Sequence, residues 1–174
     1  LTFCFVSKLI LHIGTSKAGS TALQEFFSLK RRQLQSQGLA YCPALRGPNH
    51  TELAVGFCSR STRMGQALGV NSESDRGRLQ RWMARSFTRS IRQDSIWIAS
   101  TEHLTSLLIR REEIAALALF LDQFFDEVIL VTVLRRGDYW LPSSYVESVR
   151  AGETFPFDAN YVHKRRNVLD HQKL

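Results

Sequence analysis

Cysteine is scarce in this chain, with Cys4, Cys42 and Cys58 the three cysteines among 174 residues. Their spacing matches no metal-ligand pattern, and an odd number is a poor disulfide framework. We therefore expect each cysteine to behave as a small buried apolar residue.

The chain also lacks a long apolar segment. Its first stretch, LTFCFVSKLILHI, is too short to span a bilayer and carries Lys8. Because this stretch runs directly into Gly14, it indicates a first β-strand better than a signal peptide. No internal repeat or low-complexity tract is present, and both ends look cut. We expect one domain over residues 1–174 that is incomplete at its C-terminal end.

Acidic residues are outnumbered, which gives a net charge of +7 and a pI near 9.8. No zinc-finger spacing, RNA-binding sheet signature or basic heptad accompanies this charge, so we do not expect a nucleic-acid partner. An anionic cofactor or substrate agrees equally well with the charge.

Apolar runs alternate with helical periodicity along the chain. Strands are predicted at residues 8–13, 39–42, 95–100 and 128–134. Helices are predicted at residues 20–37, 52–58, 109–125 and 138–150, with a further helix capped by Asn71 or Ser72. This alternation predicts an α/β fold with a central parallel sheet between two helical layers. The apolar fourth strand is typical of a sheet covered on both faces.

The stretch LILHIGTSKAGST, residues 9–21, has the pattern of a buried strand, a tight turn and a helix N-terminus. Gly14 and Gly19 bracket the turn, and backbone N–H groups in such a turn form an anion site. In the usual nucleotide-binding pattern, G-x-x-x-x-G-K-[ST], lysine follows the second glycine. Here Ser20 takes that place, Thr21 keeps the hydroxyl position, and Lys17 lies inside the turn.

No later strand ends in the aspartate that would complete an ordinary magnesium site. IWIAS runs into Thr101 and Glu102, and VILVTVL runs into Arg135. Ligands of parallel sheets bind beyond the carboxyl ends of the strands. We therefore expect Lys17, His50, Glu102 and Arg135 to converge in space.

A second motif follows the fourth strand in LRRGDYWLPSSYVE. Arg135 lies at the strand end, Ser143 eight residues later and Tyr145 two further on. The planar fork of arginine matches phosphate oxygens, so Arg135 and Ser143 together are suited to hold one phosphate.

Together the two motifs resemble the sulfotransferase family that uses 3′-phosphoadenylyl sulfate (PAPS). GTSKAGSTALQ is similar to the family's 5′-phosphosulfate loop, although Ala18 replaces the commoner threonine, and Arg135, Ser143 and Tyr145 are similar to its 3′-phosphate motif. The spacing is closest to carbohydrate sulfotransferases of the heparan-sulfate type. Bacterial members that read GTxKTGST, SSEHL and RRxD are the most similar.

This resemblance implies a P-loop NTPase-like sulfotransferase fold and transfer of a sulfuryl group from PAPS to a hydroxyl, with a carbohydrate as the leading acceptor. Lys17 would stabilise charge on the leaving group, and Arg135 and Ser143 would hold the 3′-phosphate of PAPS and of the product, adenosine 3′,5′-bisphosphate. No metal would be required. A bacterial relative would work in the cytoplasm, and a eukaryotic one in the Golgi lumen. The loop residues that would bind the cofactor are Gly14, Thr15, Ser16, Lys17, Ala18, Gly19, Ser20 and Thr21.

The acceptor hydroxyl needs a general base, and two residues have equal claims. His50 follows the second strand, and Glu102 follows the third. His103 adjoins Glu102 but should point elsewhere. His12, inside the first strand, is expected to be a hydrogen-bonded core residue.

Two other functions compete with this interpretation. A P-loop kinase or NTPase would bind ATP with magnesium, although the position of Lys17 argues against it. A non-catalytic, truncated relative would bind an anionic partner without turnover.

Overall fold

A computed structural model describes the backbone of residues 7–90 and 96–169 and the side chains of residues 7–90 and 96–165. Cys4 and Ser95, which belong to the sequence predictions, lie outside these ranges. The chain divides into two compact units, Leu1–Thr132 and Val133–Leu174. The single-domain interpretation stays a prediction.

The first unit contains all four described strands and seven helices, and the second contains two helices. The strands are β1 (Lys8–His12), β2 (Leu39–Tyr41), β3 (Ile96–Ser100) and β4 (Glu127–Val131). The helices of the first unit are α1 (Ser20–Leu29), α2 (Arg31–Gln35), α3 (Thr51–Phe57), α4 (Arg63–Ala67), α5 (Glu73–Ser90), α6 (His103–Leu107) and α7 (Arg111–Leu121). Those of the second are α8 (Gly137–Arg150) and α9 (Ala159–Leu169).

The four strands form one parallel sheet in the order β2-β3-β1-β4. The predicted α/β fold with a parallel sheet is therefore confirmed. His12 and Ser100 are register partners at the carboxyl ends of β1 and β3. Residues that follow these two strands consequently start from adjacent points at one edge of the sheet.

Side chains alternate between the two faces of the sheet and build two separate cores. On one face, Leu9, Leu11 and Trp97 belong to a large cluster that includes residues of α3, α5 and α7. On the other face, Ile98 packs in a smaller cluster with Leu34 of α2. Helices thus cover both faces of the sheet, which gives the predicted three layers.

Alternation along the strands also fixes where the polar strand ends point. His12 and Ser100 lie two residues after Ile10 and Ile98, so they face the α1 side of the sheet. This placement directs two polar side chains toward the first turns of α1.

The predicted helix at residues 20–37 is wrong in its length. It is divided into α1 and α2 by Lys30, whose φ and ψ of −95° and 14° leave the helical region. The break lets α2 bury Leu34 against the sheet. Three helices, α4, α6 and α9, were not predicted. α4 and α6 have five residues each, and segments of that length carry little periodic pattern. α9 has eleven residues and a weak apolar pattern, with basic residues over its centre.

Helices cover both faces of the sheet as predicted, but β4 itself is largely exposed. β4 is an edge strand, and Ile129, Leu130 and Val131 are 41%, 62% and 38% exposed. An uninterrupted apolar run alone did not distinguish this edge strand from a central one. Other local predictions are confirmed: Cys42 and Cys58 are buried, and Ser72 caps α5 by accepting from the backbone N–H of Asp75 at 3.2 Å.

Candidate functional site

The loop between β1 and α1 is built from left-handed backbone conformations. Gly14 has a φ of +35°, Lys17 of +65° and Gly19 of +91°. Among the residues that the structure describes, Lys17 is the one non-glycine residue with positive φ. Such a conformation costs about 1–3 kcal/mol for a residue with a side chain, so it persists where surrounding contacts impose it. The loop therefore holds its lysine in a specialised conformation.

The loop leads directly into the amino end of α1. The N–H of Leu23 donates to the carbonyl of Gly19 at 3.3 Å, which starts the helical hydrogen-bond pattern. The N–H groups before Leu23 have no acceptor within the helix and carry the positive end of its dipole. A phosphate or sulfate placed here would be bound by backbone groups.

Gly14 leaves space that two polar side chains occupy. A Cβ atom at Gly14 would lie 3.0 Å from His12 Cε1, 3.2 Å from His12 Nε2 and 3.0 Å from Ser20 Oγ. His12 is 3% and Ser20 is 6% exposed, and within the described residues neither His12 Nε2 nor Ser20 Oγ has a hydrogen-bond partner. A buried polar atom without a partner is costly. Both atoms therefore have hydrogen-bonding capacity beside the loop that the described residues leave unused.

A buried chain of hydrogen bonds leads from His12 to Glu102. His12 Nδ1 lies 2.8 Å from Ser100 Oγ, and the side-chain amide of Gln24 donates to Ser100 Oγ at 3.2 Å. The same amide donates to Glu102 Oε2 at 2.7 Å. Burial lowers the pKa of His12, although the nearby charge of Glu102 raises it in part. Burial thus favours the neutral ring, and His12 is a hydrogen-bonded core histidine as predicted.

Two further contacts join the turn after β3 to the loop. The N–H of Thr101 donates to the carbonyl of His12 at 3.0 Å. The hydroxyl of Thr105 lies 3.0 Å from the carbonyl of Gly14 and 3.0 Å from that of Glu102. Glu102, the acidic residue predicted at this strand end, is therefore held beside the lysine-bearing loop.

Asn49 contacts Glu102 from a different segment of the chain. Its amide nitrogen lies 3.5 Å from Glu102 Oε1 and 3.3 Å from His103 Nε2. Asn49, Gln24 and Ser100 were not predicted from the sequence as site residues. Two of them had a detectable signal: Ser100 ends the strand beside β1, and Gln24 lies one helical turn after Ser20.

His50 is close to this network but is fully buried. Its ring Nδ1 accepts from the backbone N–H of Ser100 at 3.1 Å, and its ring lies 4.7 Å from that of Tyr41. Burial, assisted by the positive charge of Arg31, lowers the pKa of His50 to about 3. The lone pair that a base needs is already engaged, so this geometry disfavours the predicted role of His50 as the base.

Arg135 and Ser143 belong to the second unit. Arg135 is half-buried in the segment before α8, and Ser143 is half-buried on α8 beside Pro142. Tyr145 donates its hydroxyl to the carbonyl of Phe155 at 3.1 Å. The contribution of Arg135 and Ser143 to a 3′-phosphate site stays a prediction.

Comparisons with known proteins found no match to this chain. No family model, no curated protein and no solved structure matches it. Within residues 7–90 and 96–169, no helix combines the length and apolar character that crossing a membrane requires. In the same ranges, no three His, Cys, Asp or Glu side chains come together in a way that would hold a metal ion. We therefore infer the function from the geometry of the loop and of the hydrogen-bond network.

Proposed function

We propose that this protein is a sulfotransferase that moves a sulfuryl group from PAPS to a hydroxyl of a carbohydrate. One observation carries the proposal: Lys17 is held in a left-handed conformation inside a loop that Thr105 joins to Glu102. A cation for the leaving group and a carboxylate for the acceptor proton are the two charges that such a transfer needs.

Two polar atoms beside Gly14 that lack partners among the described residues support an anionic ligand at the loop. Ser20 Oγ and His12 Nε2 are buried beside it without hydrogen-bond partners in the described part of the chain. Backbone N–H groups at the start of α1 would add further donors. The 5′-phosphosulfate end of PAPS matches this donor set.

Each reacting group then has an assigned residue. PAPS supplies the sulfuryl group. Glu102 accepts the proton of the acceptor hydroxyl as its oxygen bonds to sulfur. Lys17 stabilises the negative charge that remains on the 5′-phosphate when its bond to sulfur breaks, so adenosine 3′,5′-bisphosphate leaves with the bonding electrons. By family resemblance, the reaction would occur in a bacterial cytoplasm.

Glu102 is preferred over His50 as the base. Glu102 is partly exposed beside the loop, whereas His50 is fully buried and its Nδ1 already accepts a hydrogen bond from Ser100. A base must reach a substrate proton within hydrogen-bond distance. Of the two residues, Glu102 has the accessibility for this task.

Calorimetric titration of the chain with adenosine 3′,5′-bisphosphate, and with ATP plus magnesium, tests the ligand assignment. We expect the bisphosphate to bind and to raise the unfolding temperature, because a ligand that binds only the native state stabilises it. Binding of magnesium ATP alone would favour a kinase or NTPase. Absence of bisphosphate binding at low salt would overturn the proposal.

A further inference from the structure

The Gln24 side chain on α1 is held by hydrogen bonds as well as by burial. It is 4% exposed, and its amide nitrogen donates to Ser100 Oγ and to Glu102 Oε2. An amide nitrogen carries two protons, so both donors of Gln24 are used. One donor fixes the amide to the sheet, and the other reaches the carboxylate.

The anchor on the sheet is itself rigid. Ser100 is fully buried, and its Oγ lies 2.8 Å from His12 Nδ1. Donation from the Ser100 hydroxyl to His12 Nδ1 would complete the chain and leave the ring proton on Nε2. Gln24 is thus held between a buried strand end and Glu102. Preorganised side chains of this kind fix the geometry of a functional group.

The second carboxylate oxygen is contacted by a residue from a different segment of the chain. Asn49 Nδ2 lies 3.5 Å from Glu102 Oε1, a longer contact than the 2.7 Å from Gln24 to Oε2. Both contacts come from neutral amides. An arginine or lysine in their place would orient the carboxylate but would also stabilise its negative charge and weaken it as a base.

We propose that Gln24 is the principal positioning residue of the site, and that with Asn49 it orients Glu102 toward the acceptor hydroxyl. This inference rests on the proposed function. The amides hold the two carboxylate oxygens, and the lone pairs they leave unused are those that receive the proton. Gln24 itself touches no reacting atom.

Two substitutions at Gln24 test the inference with PAPS and an unsulfated heparosan oligosaccharide as the acceptor probe. Gln24→Met removes both donors at similar size, and we expect kcat to fall by about 10- to 100-fold with the KM for PAPS unchanged. Gln24→Glu places a second carboxylate at hydrogen-bond distance from Glu102. Because two such groups share one proton, the acidic limb of the pH profile of kcat should move to higher pH.

Gln33→Glu is the matched control, because Gln33 is exposed on α2. It should leave kcat and the pH profile unchanged. A merely structural role for Gln24 predicts an equal loss at every pH and no movement of the acidic limb. That result, or unchanged kcat in both Gln24 variants, would overturn the inference.

A spectroscopic readout separates this inference from the proposed function. In protein with isotopically labelled glutamine side chains, the NMR chemical shifts of the Gln24 amide protons should change with pH as Glu102 is protonated. Glu102→Gln should abolish that pH dependence. His12 and His103 also belong to this hydrogen-bond network and can titrate. His103→Gln is therefore measured in parallel, and it should leave the pH-dependent change at Gln24 in place. Absence of the titration overturns the positioning role. A normal titration in a chain without PAPS-dependent transfer overturns the proposed reaction instead.

Discussion

His50 and Ser100 exchange two hydrogen bonds. The backbone N–H of His50 donates to the carbonyl of Ser100 at 3.0 Å, and the backbone N–H of Ser100 donates to His50 Nδ1 at 3.1 Å. The pair fastens the start of α3 to the end of β3. A histidine bound in this way continues the sheet's hydrogen-bond pattern beyond β2, which ends at Tyr41.

Replacement of His50 by alanine should weaken folding more than catalysis. The change leaves the Ser100 N–H without its buried acceptor and opens a cavity, so we expect a loss of about 2–4 kcal/mol in the free energy of unfolding. Urea denaturation measures this loss, with His163→Ala, at an exposed position of α9, as the control. Unchanged stability combined with abolished sulfuryl transfer would instead make His50 the base.

Acid should destabilise the chain through the same histidine. Burial, with a contribution from Arg31, lowers the pKa of His50 from 6.5 to about 3. The unfolded chain binds a proton below pH 6.5, but the folded chain does not until about pH 3, so the free energy of unfolding falls as pH decreases between these values. Urea denaturation across this interval should show a smaller pH dependence in His50→Asn. An identical dependence in both chains would contradict the assignment.

Glu113 is expected to stabilise the amino end of α7. Burial raises its pKa, but hydrogen bonds from Ser59, Ile109 and Arg110 outweigh burial and lower the pKa from 4.5 to about 2. The stabilisation is therefore complete above pH 4.5 and is lost as pH falls toward 2. Glu113→Gln should cost about 1–3 kcal/mol at neutral pH, measured by urea denaturation.

The exposed neighbour Glu112 supplies the control for this change. Glu112→Gln should leave the free energy of unfolding within about 0.5 kcal/mol of wild type, as for most surface substitutions. If the two variants had equal stability at neutral pH, the Glu113 hydrogen bonds would not contribute as described.

Gly14→Ala should weaken binding of adenosine 3′,5′-bisphosphate by about tenfold or more. The added methyl group would contact His12 and Ser20, and an alanine is disfavoured in the left-handed backbone conformation of Gly14. Calorimetric titration measures the change. Gly38→Ala is the matched control, since Gly38 also has positive φ, at +76°, but a Cβ there meets no atom within 4 Å. Gly38→Ala should reduce stability and leave binding intact. Equal binding in the two variants would count against a ligand at the loop.

The sequence predicted the parts of the fold whose signals are local. The run from Leu9 to Thr21 predicted a strand, a turn and a helix, and the structure has them in that order. The exposure of β4 was not predictable, because an apolar segment does not indicate whether its strand lies at the edge or in the centre of the sheet. Glu102 was selected as a strand-end residue. Its contact with Gln24 was missed, because those residues are 78 positions apart and meet only through the sheet.

The network around Ser100 shows the same limit. His12, Gln24 and His50 look like unrelated polar residues in sequence, yet each forms a hydrogen bond with Ser100. The parallel register of β1 and β3 brings His12 beside Ser100, and α1 and the segment before α3 bring Gln24 and His50 to the same strand end. The choice between His50 and Glu102 as base therefore depended on burial, which composition and spacing do not report.

The most direct measurement is transfer of radiolabelled sulfate from PAPS to an unsulfated heparosan oligosaccharide by the wild-type chain and by Lys17→Ala. Lys30→Ala, at an exposed position beyond α1, is the control. We expect wild type and Lys30→Ala to transfer label equally, and Lys17→Ala to be slower by about 100- to 1,000-fold, the usual effect of removing one transition-state donor. Transfer by Lys17→Ala at the wild-type rate, or no transfer by the wild-type chain, would contradict a PAPS-dependent sulfotransferase centred on Lys17.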